Sequence, residues 1–210
     1  MYVAAMPKIS AAAAARRRSH ILDAARQCFA EHGIHVSVDE ICARAAVSKG
    51  AFYGYFDSKD AAIEAIAQDH AQRVVNTFAL LDSPEALIER LTQHTTGRDI
   101  NSLRLELETY SYALKLPSLR TALQHNVESL RQALATSLAT LSGDGKAPAS
   151  PAVCAEILTF FCMGLIASSA LGPERTSRSA NAALKALVAA LLGTRPAQAG
   201  RRPPARSVSG

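Results

Sequence analysis

The chain has 210 residues, a net charge of +5 and a hydrophobic content of 49%, with 5% aromatic residues and no tryptophan. This length allows one large domain or two small ones. The composition argues against a disulfide scaffold and a zinc site, because the four cysteines lack C-x-x-C spacing and the six histidines share no ligand-like spacing. Alanine and leucine dominate and strand-like alternation is rare, which predicts an all-α protein.

The positive charge is concentrated at the two ends of the chain. Residues 1–18 contain four basic residues and no acid, and residues 194–210 contain four arginines and no acid. The remaining 15 basic and 18 acidic residues give the middle of the chain a net charge of −3. Residues 1–15 and 194–210 are predicted to be disordered tails. These tails are either simply solvated or able to bind a polyanion such as nucleic acid.

The N-terminal region predicts helices in quick succession. An apolar face extends over residues 16–32, and Gly33 ends that helix. Ser37 and Glu40 have the spacing of a capping box, which opens a short second helix. After a tight turn, Ser48 is placed to cap a third helix.

The third helix lies within SKGAFYGYF at residues 48–56 and contains glycines at positions 50 and 54. Each glycine costs about 1 kcal/mol relative to alanine in a helix interior. A short helix that follows a tight turn and presents small and polar residues is typical of a helix-turn-helix, where it enters the major groove of DNA. The glycines would let the backbone approach DNA closely. Two alternatives are that they only allow two protein helices to pack, or that no helix forms.

The rest of the chain predicts further helices. Ser58 caps a long helix that runs toward Leu81. The others are expected at about 84–95, 99–114, 118–141, 152–171 and 177–192, with a loop at 142–151. The stretch 157–173 carries no charge, but it is shorter than the roughly 20 residues of a membrane-spanning helix. It therefore predicts a buried core or interface helix and no membrane partner.

The segment Arg16–Ile66 resembles the N-terminal DNA-binding domain of the TetR family of bacterial transcriptional regulators. The matching pieces are IL-AA---F---G, S-V-DEI and A-VSKGAFYGYF-SKDA, in that order. This ordered set is far more specific than an isolated helix-turn-helix. The resemblance implies a three-helix helix-turn-helix domain at residues 16–60, followed by a helical domain at residues 61–193 that binds a small ligand and dimerises.

The resemblance also implies DNA contacts at individual positions. These positions are Ser37, Ser48, Lys49, Gly50, Ala51, Tyr53, Gly54, Tyr55 and Lys59. Ser37 and Lys59 would bind phosphates, residues 48–51 would face the groove, and Tyr53 would touch the DNA backbone.

The chain departs from the family pattern at two positions. Ala46 stands where the turn usually has glycine, so the backbone there is either mildly strained or not left-handed. Gly54 stands where a large polar residue is common. With few long side chains available to bind bases, the protein would rely more on backbone contacts and DNA shape.

The C-terminal helices would supply the dimer interface and the ligand site. The helices at about 152–171 and 177–192 suit a homodimer, because the first is apolar nearly all round. The candidate ligand-binding residues are His94, Glu106, Tyr110 and Phe161. Glu108 and Tyr112 are further polar groups on the same apolar segment. The alternative is that the glutamates are solvated and the aromatic residues pack in the core.

The sequence thus predicts a cytoplasmic, dimeric regulator that binds double-stranded operator DNA. Repressors are the most frequent type in this family, and a small-molecule effector of unknown identity would release the protein from DNA. Neither a cofactor nor a metal is predicted. A non-specific DNA-binding protein driven by its basic tails is the alternative. An enzyme is disfavoured, because no nucleophile–base pair or carboxylate pair stands out.

Overall fold

The computed structural model describes residues 10–79, 81–142, 147–171 and 173–194, without the side chains of residues 173–178. Over these ranges the chain is helical and contains no strand, which confirms the all-α prediction. The helices are α1 (Ala11–His32), α2 (Val38–Ala45), α3 (Lys49–Tyr53), α4 (Lys59–Phe78), α5 (Pro84–Thr95), α6 (Ile100–Ala113), α7 (Pro117–Leu141), α8 (Pro151–Leu171) and α9 (Pro173–Leu191).

The first helix begins at Ala11, earlier than the predicted start at residue 16. The hydroxyl of Ser10 caps it by accepting a hydrogen bond from the backbone N–H of Ala13 at 3.2 Å. The prediction that residues 11–15 belong to a disordered tail is wrong, because an alanine run has the highest helix propensity and here has a cap. The other predicted tail residues, 1–9 and 195–210, lie outside the described part of the chain.

The first three helices and the start of α4 enclose one hydrophobic core. Phe29 of α1, Ile41 of α2 and Phe52 of α3 are at most 1% exposed. Burying each such side chain contributes about 1.5–3 kcal/mol. Ala113 of α6 and Leu119 of α7 belong to the same cluster. The C-terminal region therefore packs directly on the helix-turn-helix.

A second core lies among the C-terminal helices. Phe78 at the end of α4 is buried there with residues of α5, α7, α8 and α9. α4 packs chiefly against α7 and reaches both clusters, since Ile63 and Ile66 lie in the first. The boundary predicted at residue 60 therefore falls in the first turn of a helix that both cores share.

The turn between α2 and α3 contains a left-handed alanine. Ala46 has φ 50° and ψ 45°, so of the two alternatives for this position the left-handed one is correct. Its N–H donates to the carbonyl of Ala43 at 3.2 Å, and that of Val47 donates to the carbonyl of Cys42 at 3.0 Å. This is the Schellman pattern that normally uses glycine. The turn that orients α3 is thus held in place despite local strain.

Replacing Ala46 by glycine is expected to raise the free energy of unfolding by about 0.5–1 kcal/mol. The change removes about 1–2 kcal/mol of left-handed strain and loses part of that gain to the greater entropy of the unfolded chain. Urea denaturation measures the difference. Ala43→Gly is the matched control, because Ala43 lies inside α2 and the same change there should cost about 1 kcal/mol. A loss of stability in both variants contradicts the account.

Candidate DNA-binding surface and ligand cavity

The second helix begins with the predicted capping box. The hydroxyl of Ser37 accepts from the N–H of Glu40 at 3.3 Å, and the carboxylate of Glu40 accepts from the N–H of Ser37 at 2.8 Å. The backbone hydrogen bond from Ser37 lowers the pKa of the Glu40 carboxyl. Ser37 is exposed at the beginning of α2, and its local bonds fix the direction in which α2 leaves the preceding loop.

The third helix presents its first residues to solvent. Ser48 caps it by accepting from the N–H of Ala51 at 3.1 Å. Lys49 is exposed, and its ammonium lies 2.8 Å from the carboxylate of Asp39, whose hydrogen bond raises the pKa of Lys49. A Cβ added at Gly50 would meet nothing closer than the Ser48 hydroxyl, at 3.8 Å. Gly50 is therefore not required for packing within the described chain.

The second glycine has a different position from the one predicted. Gly54 is the C-cap of α3 and not an interior residue, and its φ of −72° is open to any residue. A Cβ there would lie 3.4 Å from the carbonyl oxygens of Gly50 and Ala51. The two glycines therefore do not form one face of a longer helix. Beside them, Tyr53 is 50% exposed and Tyr55 packs partly against the first core.

Lys59 ties two elements of the helix-turn-helix together. Its ammonium donates to the carbonyl oxygens of Ile34 and Val36, each at 3.2 Å. Two of its three donors are thereby engaged, which leaves one for a phosphate. The sequence did not indicate this contact, because it depends on how the loop after α1 folds back on the beginning of α4.

An arginine of α1 lies beside Phe56, which follows the end of α3 by three residues. The guanidinium of Arg18 sits 5.1 Å from the ring centroid of Phe56, a cation–π contact worth about 0.5–1 kcal/mol at an exposed site. Arg16 and Arg17 are exposed on the same helix. No DNA contact is predicted at these arginines from the sequence, although three consecutive basic residues without an acid are typical of a surface that binds nucleic acid.

A cavity of about 270 Å³ lies among α1, α4, α5, α6 and α7. Three of the four candidate ligand residues line it, namely His94, Glu106 and Tyr110. Phe161, the fourth candidate, does not line this cavity. It is partly buried against the second core, and no residue of α8 lines the cavity.

A buried ion pair forms the polar end of the cavity. Arg98 bonds to Glu106, and their side chains are only 16% and 11% exposed. Tyr110 donates to the same carboxylate at 2.8 Å. Burial alone would raise the pKa of Glu106, but the charge and hydrogen bond of Arg98 hold it below its usual value. Burial and the neighbouring carboxylate raise the pKa of Tyr110, which stays protonated. Arg98 is not among the ligand-binding residues predicted from the sequence.

Two histidines stack on another wall of the cavity. The rings of His70 and His94 are 6.2 Å apart between centroids with an interplanar angle of 23°. Phe78 meets His94 edge-on at 6.0 Å. Burial lowers the pKa of His94 to about 4 and also lowers that of His70, so both rings are neutral at pH 7.

The helix that carries Glu106 and Tyr110 also contacts the helix-turn-helix. The carboxylate of Glu108 accepts from the N–H of Ile34 at 2.8 Å, and Tyr112 donates to the carboxylate of Asp60 at 2.8 Å. Gly33, with φ 84°, leaves room for this contact, since a Cβ there would lie 3.0 Å from Glu108. Glu108 and Tyr112 thus connect α6 to the helix-turn-helix domain and do not line the cavity.

The residues that the structure describes leave an apolar stripe on α8 exposed. Its opposite face is buried, but Phe160 is 63% and Leu171 is 90% exposed. Val153, Ile157 and Met163 extend the exposed face. By length and composition α8 could cross a membrane, and 39% of its apolar window is buried inside the fold. Such a pattern is typical of a core helix with one face open to a partner.

The described residues contain no group of three potential metal ligands from histidine, cysteine, aspartate and glutamate. The four cysteines are buried free thiols. Burial raises the pKa of Cys162 to about 12 and also raises those of Cys28 and Cys42. These three thiols therefore remain protonated at neutral pH.

The fold and the exposed third helix define a helix-turn-helix protein with an attached helical domain. Residues 21–66 match the family profile described as "Bacterial regulatory proteins, tetR family", and residues 83–193 match that of the "BetI-type transcriptional repressor, C-terminal". The chain belongs to the TetR family of bacterial transcriptional regulators. It is a DNA-binding regulator of transcription and not an enzyme.

Individual relatives agree with this assignment. The HTH-type transcriptional repressor Rv1474c of Mycobacterium tuberculosis (strain ATCC 25618 / H37Rv) is 39% identical over 84 residues, which are 40% of this chain and 43% of that protein. The match therefore spans less than half of that curated relative. Salmonella enterica GusR superposes with a TM-score of 0.73 at 27% identity, covering 88% of this chain and 98% of its own. A SmeT–triclosan complex, with a TM-score of 0.68, 21% identity and coverage of 83% and 91%, shares the fold.

Proposed function

We propose that this regulator is a cytoplasmic homodimeric repressor that leaves its operator when a small molecule occupies the cavity beside α6. The observation that carries the proposal is the double role of α6. Glu106 and Tyr110 of this helix line the cavity, whereas Glu108 and Tyr112 hold the helix-turn-helix. Rv1474c is named a repressor and SmeT holds triclosan, which supports both halves of the proposal.

In this proposal α3 enters the major groove of double-stranded DNA. Residues 48–51 face the bases and nearby phosphates. Ser37, Tyr53, Gly54, Tyr55 and Lys59 flank them along the DNA backbone. The open space around Gly50 supports this arrangement, because the missing side chain gives no packing advantage within the described chain. The strand of DNA would then approach the backbone of α3 closely.

Replacing Lys49 by alanine is expected to weaken operator binding about tenfold, because one charge-assisted contact to a phosphate is lost. The slope of log K against log salt should fall by about one. Fluorescence anisotropy over a salt series measures both. Asp39→Asn is the control in the opposite direction, since it frees Lys49 from its 2.8 Å ion pair and should tighten binding. An unchanged affinity and slope in Lys49→Ala would remove Lys49 from the interface.

The proposed dimer interface is the exposed face of α8 together with α9. Gly164 and Ser168 are exposed on the stripe that contains Phe160, and a Cβ at Gly164 would meet no described atom within 4 Å. Ala182, Ala186 and other small residues are exposed on α9. Two copies of these helices would bury the apolar stripe and would place two α3 helices on half-sites about 34 Å apart.

Replacing Phe160 by glutamate is expected to convert the dimer to a monomer at micromolar concentration, because a charge would be buried in an apolar interface. Sedimentation velocity measures the change. Leu114→Glu is the matched control, since Leu114 is 75% exposed at the end of α6 and lies off the α8 face. A Phe160→Glu protein that remains dimeric contradicts the proposed interface.

Effector release would act through the position of α6. A ligand that fills the cavity would contact the side of α6 that carries Glu106 and Tyr110, and it would favour a different position of α6. The bonds of Glu108 and Tyr112 would carry that shift to the loop after α1 and to the beginning of α4. Effector and operator would then favour different conformations of one protein, which is a population shift.

A further inference from the structure

The dimensions of the cavity limit its ligand to a small molecule. Its volume is about 270 Å³. This lies just below the 300–1,000 Å³ that is typical of small-molecule sites. One ring with a short side chain fills such a space. Much of the wall is apolar, with Phe29, Ile66 and Leu123 among the lining residues.

The charges around the cavity cancel one another. Arg98 is neutralised by Glu106 inside the cavity. Arg26 bonds to Asp23 at 2.7 Å and to Asp69 at 2.6 Å. Asp69 also pairs with Arg73 of α4 at 2.8 Å. This second cluster therefore contains two arginines and two aspartates and is neutral as well. The stacked histidines and Tyr110 carry no charge at pH 7.

This balance disfavours a charged ligand of either sign. An anion would approach Glu106, and a cation would approach Arg98 and Arg26. Either ion would lose its hydration shell, and each counter-charge near the cavity is already engaged in an ion pair. An uncharged ligand avoids this cost.

Hydrogen-bonding groups that face the cavity still lack partners. A neutral imidazole has one donor and one acceptor, and the rings of His70 and His94 make no hydrogen bond to another described residue. A hydroxyl group can donate to one imidazole nitrogen and accept from another, whereas an ether or a halogen cannot do both.

We propose that the cavity takes an uncharged ligand with an apolar body and a hydroxyl group, and that this hydroxyl binds His70 and His94. This inference specifies the ligand class of the proposed effector site, and its role in regulation rests on the proposed function. The apolar body would lie against the Phe29 and Leu123 walls, and the Arg98–Glu106 pair would remain intact beside it.

Isothermal titration calorimetry of the full chain with three probes of one skeleton tests the ligand class. The probes are 4-phenylbutan-1-ol, 4-phenylbutanoate and protonated 4-phenylbutan-1-amine, which differ chiefly in charge. The alcohol is expected to bind at least about tenfold more tightly than either ion, because each ion would bury a charge without compensation. Equal or tighter binding of an ion overturns the proposal. So does a failure of all three probes to saturate in the millimolar range.

Two variants test the residues that would bind the hydroxyl. His94→Phe keeps a stacked ring and removes both nitrogens, and His70→Phe does the same on α4. Each is expected to weaken binding of the alcohol by about tenfold, because the hydroxyl loses a hydrogen bond. Phe161→Leu, outside the cavity, should bind it as the wild type does. Unchanged binding of the alcohol by both histidine variants overturns the assignment.

A parallel titration separates this inference from the proposed function. The alcohol is added to the protein–operator complex, and DNA release is followed by fluorescence anisotropy. Binding of the alcohol without release supports the ligand class and contradicts effector release. Release by either ion, but not by the alcohol, overturns the ligand class and leaves effector release standing.

Discussion

Replacing Glu106 by alanine is expected to lower the free energy of unfolding by about 3–5 kcal/mol, because Arg98 would stay buried without a counter-charge. The two side chains are 16% and 11% exposed, so water does little to compensate. Tyr110 would also lose the acceptor of its 2.8 Å hydrogen bond. Urea denaturation followed by circular dichroism measures the loss.

The double variant Arg98→Met, Glu106→Leu separates the missing charge from the missing side chain. Removing both charges in favour of apolar groups is often neutral or stabilising. The double variant is therefore expected to recover most of the stability that Glu106→Ala loses. A Glu106→Ala protein within about 1 kcal/mol of the wild type, the range of exposed ion pairs, would show that the pair is solvated in solution.

Lowering the pH from 7 to 5 is expected to remove about 2 kcal/mol of stability through His94 alone. The folded pKa of this histidine is about 4, because burial disfavours its charged form, whereas the unfolded pKa is about 6.5. Below pH 6.5 the unfolded chain binds the proton first. The stabilisation is therefore complete above about pH 6.5 and is lost as the pH falls toward 4. His70, whose pKa burial also lowers, acts in the same direction.

Urea midpoints between pH 7 and pH 5 measure this dependence. The window lies above the range in which the carboxylates with lowered pKa, such as Glu106 and Asp99, become protonated. His94→Phe is the matched control and should show a clearly flatter profile. A wild-type profile that is already flat over this window would mean that water reaches His94.

Helix boundaries could be predicted from the sequence because local chemistry sets them. Ser37 with Glu40, Ser48 and Gly33 each cap or end a helix through contacts within a few residues. The sequence predicts the start of α1 too late, because an alanine run carries no apolar–polar pattern, although alanine itself favours helix. Gly54 was placed inside α3 because glycine spacing does not reveal where a five-residue helix ends.

The cavity could be predicted only in part because its residues meet through tertiary packing. His94, Glu106 and Tyr110 stood out as polar groups on apolar helices. His70 and Arg98 did not stand out, because the role of each depends on a partner in another segment. His70 stacks on His94, and Arg98 bonds to Glu106. The same limit applies to Glu108, whose partner is 74 residues away in sequence at Ile34.

The most direct test of the central claim is binding to the DNA that flanks the protein's own gene, compared with a scrambled duplex of equal length and composition. Fluorescence anisotropy at one fixed salt concentration gives both affinities, because salt governs the non-specific component. A sequence-specific regulator is expected to bind the flanking DNA far more tightly than the scrambled duplex. Equal affinity for the two duplexes, lost on deletion of residues 1–9 and 195–210, would contradict the account and establish non-specific binding by the basic tails.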